Sequence, residues 1–212
     1  MSEPPPLDDV LQISLLGGAD TAIAALRAMS AAFGQRGGRP FVLKLDAWHA
    51  LALPLFRRAF PDTPWVFLYR DPVEVLVSHM RQRGSQMLPQ LFPPRFWGID
   101  LDEALPDEDY CARVLGAICN AAADHAALGA GLMVDYRDLP HAMFSMIAPH
   151  FGVTVSAAER EAMEMVTGRD IKAPHQAFAP DGAAKRREAS EIVRQAAERH
   201  LDSACRRLAA ST

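Results

Sequence analysis

Apolar positions along this chain follow two rhythms, and breaks between them mark out the expected elements. Residues 1–10 form an irregular lead-in, because Pro4, Pro5 and Pro6 forbid a regular helix. Ile23, Ala25, Leu26 and Met29 give a helical stripe from Asp20 or Thr21 to about Phe33, and the turn-rich Gly34–Pro40 ends it. Phe41-Val42-Leu43-Lys44-Leu45-Asp46 has the length of a strand, and a helix is expected over Leu51–Phe60 up to the Pro61–Pro64 turn. Trp65–Tyr69 is aromatic and branched without polar alternation, as a strand covered on both faces would be. Asp71, Pro72 and Glu74 then read as N-cap, first helical residue and capping-box partner of a helix running to about Arg83.

Residues 85–107 carry four prolines with Phe92, Phe96 and Trp97, and read as a long irregular loop, of the kind that serves as a lid or is disordered. An alanine-rich helix over Glu108–Leu128 stops at Gly129 and Gly131, before a third strand candidate, Leu132–Tyr136. Leu139–Phe151, Ser156–Val166 and Ala183–Ala210 follow as helices, with a breaker-rich stretch at 167–182. The order predicts a single α/β domain over residues 1–212, with three layers: a parallel β-sheet flanked by helices.

Charge and cysteine usage narrow the classes of partner. A formal charge of −4 and a pI near 6.0 argue against a nucleic-acid binder or a polybasic membrane-surface protein. No apolar run reaches the about 20 residues of a membrane span, and the acidic, proline-rich start is not a signal peptide. Cys111, Cys119 and Cys205 are odd in number and widely spaced, so neither a disulfide framework nor a zinc site is expected, and the histidines show no metal-ligand pattern. A reducing cytoplasm fits that usage.

In an open parallel sheet, ligands sit beyond the carboxyl ends of the strands. Two polar groups of residues fall there: Lys44, Asp46 and His49 after the first expected strand, and Arg70 with its helix start after the second. Ser78 lies two helical turns past Asp71, so its hydroxyl and the Arg70 guanidinium can face one space and grip a phosphate. The plain alternative for Arg70 is an ion pair with Asp71 or Glu74.

The stretch from Arg70-Asp71-Pro72 to Ser78, with its strand context FPDTPWVFLY, resembles the sulfotransferases that use 3′-phosphoadenosine 5′-phosphosulfate (PAPS). Val134-Asp135-Tyr136-Arg137-Asp138-Leu139 is similar to a second segment of that family. The resemblance implies a P-loop-type fold and assigns Arg70 and Ser78 to the nucleotide's 3′-phosphate. It implies transfer of a sulfuryl group from PAPS to a hydroxyl or amine of a small-molecule or carbohydrate acceptor, without a metal. A catalytic base would follow Lys44, with His49 first and Asp46 second, and Lys44 itself would neutralise ligand charge. The alternatives are a packed or exposed histidine, a helix cap at Asp46 and a lysine extending from a strand end. Arg169 and Lys172 correspond to a basic loop over the nucleotide, with a solvated loop as the other reading. The family's N-terminal strand and phosphosulfate-binding loop have no counterpart here, since Gly17 and Gly18 lack the hydroxyl pattern. Loss or truncation of that part is therefore expected, and with it the alternative of an inactive homologue that binds only a nucleotide or a protein partner.

Overall fold

The computed structural model describes residues 7–11, 18–34, 41–89, 91–92, 94–98, 105–167 and 181–211. Helix α1, Ala19–Gly34, buries Ala22, Ile23 and Leu26 at helical spacing, and Ile23 and Leu26 pack with Leu7 and Ala59. Phe41–Asp46 does not become the expected strand, and only Lys44 makes an isolated β-bridge. Phe41 and Val42 are 39% and 52% exposed, and only the end of the run, at Leu45, packs against the core among the described residues. Strand preference is largely a matter of packing against neighbours, and most of that packing is missing here.

A 3₁₀ turn, Ala47–Ala52, leads into helix α2, Leu53–Ala59. Strand β1, Trp65–Tyr69, pairs in parallel with strand β2, Gly131–Asp135, so that Trp65 lies opposite Gly131 and Tyr69 opposite Asp135. Period-two alternation sorts their side chains. Trp65, Phe67, Tyr69 and Met133 pack with Ala122 and Leu208, whereas Val66, Leu132 and Val134 pack with Ala142 and Ile147. Leu68 is the exception to the expected cover, at 48% exposed. Gly131 leaves room for the Trp65 indole, whose Nε1 donates to the Gly129 carbonyl at 3.0 Å, and a Cβ at 131 would collide with that ring.

Helix α3, Pro72–Arg81, starts where the sequence predicts, and the Asp71 carboxylate accepts from the Glu74 backbone N–H at 3.1 Å. Helix α4, Asp107–His125, is the spine of the main core, burying Tyr110, Cys111, Val114, Leu115, Ile118 and Ala122. Acidic residues in its first turn and His125 in its last match the helix dipole. The segment before it is less loop-like than expected. Ser85–Met87 is a 3₁₀ turn and Pro94–Trp97 a helical turn, and Met87 and Trp97 are buried. Phe92 and Phe96 lie 5.1 and 5.6 Å from the buried Trp48, so these aromatics anchor the core.

After β2 come a short π-helical segment, Met143–Ile147, and helix α5, Ala157–Thr167. The expected helix over Ala183–Ala210 is three: α6, Gly182–Glu188; α7, Glu191–His200; and α8, Asp202–Ala210. Ser190 starts α7 as its cap, accepting from the Val193 N–H at 3.3 Å. The described residues are thus mostly helical, with a two-stranded parallel sheet packed on both faces, an α/β arrangement in the loose sense. Among them no helix is long and apolar enough to cross a membrane.

Candidate functional site

Arg70 follows β1 directly and stands at the carboxyl end of the sheet, beside the capped start of α3. Its Nε is 2.6 Å from Glu74 Oε2, and its Nη2 is 2.7 Å from Asp181 Oδ1. The guanidinium also lies 4.9 Å from the centre of the Tyr136 ring, just past the end of β2. The partners are themselves paired: Glu74 with Arg186, and Asp181 with Lys185 at 2.7 Å. Glu74 and Lys185 are buried, whereas the Asp181 side chain is 51% exposed. Gly182 allows this closeness, because a Cβ there would strike the Glu74 carboxylate.

Hydrogen bonds from Lys185 and then Arg70 hold the Asp181 carboxyl down at about 2, against the opposing cost of its desolvation. Burial works against the Arg70 charge, but bonds to Asp181 and Glu74 outweigh it and raise its pKa. Counting Asp71, the cluster holds three cations (Arg70, Lys185, Arg186) and three carboxylates (Asp71, Glu74, Asp181). The formal charges of these groups cancel, and Asp181 is the exposed carboxylate among them.

Glu74 takes both roles that the sequence offers it, helix start and ion pair with Arg70. Its backbone completes half a capping box, but its carboxylate turns to Arg70 and Arg186. Arg70, Glu74 and Ser78 succeed one another at four-residue intervals, and the Arg70 guanidinium is taken up by the nearer of the two, Glu74. Ser78 is half-buried, and among the described residues its hydroxyl makes no bond to Arg70.

His49 is buried, with Nε2 at 2.9 Å from Asp8 Oδ1, while its Nδ1 accepts from the Asp46 backbone N–H at 3.2 Å. That pattern assigns the neutral ring its proton on Nε2 and leaves neither nitrogen for a substrate. The ring also lies 4.0 Å from that of Trp48, tilted by 56°. Asp46 is the N-cap residue of the 3₁₀ turn, and Lys44 is exposed on its isolated bridge. Arg169 and Lys172 lie outside the described residues. Clefts among the described residues include one of about 460 Å³ beside Phe144 and Arg160 and one of about 420 Å³ beside Trp97 and His200. Neither is lined by Arg70, Ser78, Lys44, Asp46 or His49.

In the second segment, Asp135 accepts from the Arg137 N–H at 2.8 Å and from its guanidinium, and these bonds lower the Asp135 pKa despite its desolvation. The sequence gives no sign of Asp181, Lys185 or Arg186 at this place, since their approach is purely tertiary. Among the described residues no group of His, Cys, Asp and Glu is arranged to hold a metal ion. Comparison with known proteins finds no matching family model, no matching curated protein and no matching solved structure.

Proposed function

We propose that this chain is a sulfotransferase-like protein that binds the 3′-phosphate end of PAPS, or of its product PAP, at the tip of β1. One observation carries the reading: the two segments that resemble the family meet in space. They leave adjacent parallel strands at their carboxyl ends, and Arg70 lies over Tyr136 at 4.9 Å. A strand-tip guanidinium next to a helix start suits a phosphate monoester. The ligand's phosphate replaces Asp181 on Arg70 Nη2, and Lys185 and Arg186 stay near to offset the added charge. On this reading the sheet belongs to a three-layer, P-loop-type architecture, the protein works in the cytoplasm, and a hydroxyl or amine of a small molecule or carbohydrate receives the sulfuryl group.

A second reading, binding without transfer, is favoured by His49, whose two ring nitrogens are both engaged by the protein. A general base must reach the proton it removes, and a ring held this way does not. Incubation with labelled PAPS and an acceptor panel, alongside calorimetry with PAP, separates the two. Transfer supports the enzyme; PAP binding without turnover supports the binding protein. A folded chain that binds neither nucleotide removes both.

A further inference from the structure

Helices α4 and α8 bring together two cysteines that lie far apart in sequence. At Gly116 of α4 a Cβ would come within 2.5 Å of the His200 carbonyl oxygen at the end of α7, so the two backbones touch there. One helical turn further along α4, Cys119 stands beside Cys205 of α8, between the Gly116–His200 contact and the bond from Arg207 to Asn120. Polar contacts fix the approach from both sides. His200 Nε2 lies 2.9 Å from Asp109 Oδ1, with Arg199 on the same carboxylate at 3.0 Å. Beyond the cysteines, Arg207 donates to Asn120 Oδ1 at 2.7 Å and pairs with Asp124. Cys119 and Cys205 are partly buried, and Cys119 packs beside Ala122, Met133 and Leu208.

We propose that Cys119 and Cys205 form a reversible disulfide, a modification site that takes a hydroperoxide as oxidant and staples the C-terminal helix to α4. The proposal is independent of the nucleotide reading. Helices held at backbone contact keep the thiols together, so no large rearrangement is needed to join them.

The two sulfurs are not equivalent. The neighbouring Cys119 lowers the Cys205 pKa, although desolvation and the Asp202 and Asp71 carboxylates oppose this. Cys205, and then burial, push the Cys119 thiol up. Cys205 is also the less buried of the two, and it is the attacking sulfur. Its thiolate attacks one peroxide oxygen, the O–O bond breaks, and the departing alkoxide takes a proton to leave as an alcohol. Cys119 sulfur then attacks the Cys205 sulfenic acid: the S–S bond forms, the S–O bond breaks, and hydroxide leaves with the Cys119 proton as water. The thiols together lose two electrons and two protons, and the peroxide is reduced to alcohol and water. Cys111 stands apart, fully buried with its thiol pushed up to about 11, mainly by desolvation.

Hydrogen peroxide added to the folded full-length chain tests this directly. Trypsin places the three cysteines in separate peptides, 96–113, 114–137 and 200–206. The expected result is an intact mass lower by two hydrogens, a non-reduced 114–137 peptide joined to 200–206, and reversal by dithiothreitol. Cys111→Ser leaves that link unchanged, and Cys119→Ser stops the reaction at a dimedone-reactive Cys205. Free alkylation of both thiols after peroxide overturns the proposal. So does a link that involves 96–113, joins two molecules, or forms only in denaturant.

Discussion

Arg70 carries its charge between two carboxylates of unlike character, and that difference decides what substitutions do. Glu74 is buried and keeps Arg186 when Arg70 is removed, so Arg70→Ala leaves a folded protein. PAP binding by that variant is expected to weaken by about 1.5–3 kcal/mol, the range for a hydrogen bond to a charged group. Unchanged affinity in calorimetry would remove Arg70 from the phosphate site. Asp181 is half exposed and, on the proposed reading, occupies the place the ligand's phosphate would take on Arg70. Asp181→Asn should therefore tighten PAP binding by roughly 1 kcal/mol, about fivefold, discounted for solvent screening. A weaker or equal affinity would mean that Asp181 is no competitor. These roles were half legible. The spacing of Arg70 and Ser78 shows in the sequence, as does the possible Arg70–Glu74 pair, but Asp181 reaches Arg70 from 111 residues away.

Elements announced by local chemistry formed where expected. Asp71-Pro72 starts α3, and the apolar runs at β1 and β2 became strands. Phe41–Asp46 failed because its composition shows apolar character but not whether a covering layer exists. The aromatics of 85–107 were misread for a related reason: sequence alone does not tell a lid from a core anchor, and Trp48 makes Phe92 and Phe96 the latter. Gly116 sits mid-helix, where glycine ordinarily costs stability relative to alanine. Its contact with the His200 carbonyl reverses that rule. Gly116→Ala is expected to destabilise by about 1–3 kcal/mol, the cost of overpacking a tight contact. Urea denaturation measures it, and a stabilised variant would show that the helices part easily.

For the molecule as a whole, acid is the informative variable. The Asp181 carboxyl is depressed from 3.8 to about 2, and Glu188 is lowered by its bond to Arg81. A carboxylate with a depressed folded-state pKa stabilises the fold above its unfolded pKa, and that contribution fades as pH falls through the folded value. Stability attributable to Asp181 should be complete near neutrality and disappear between about pH 4 and 2. Urea midpoints across that interval should fall less steeply for Asp181→Asn than for the parent, and parallel curves would contradict the ion pairing.

The contact between Arg70 and Asp181 also ties early sequence to late. The arginine is in place once β1 is laid down, yet the carboxylate that quiets it is the last part of the cluster but for Lys185 and Arg186 to leave the ribosome. During synthesis, a growing chain that has passed residue 135 but not 181 carries a strand-end cation with its far partner still unmade. Until the C-terminal helices arrive, Glu74 holds one side of that cation and its other side is open to anions in the surrounding fluid.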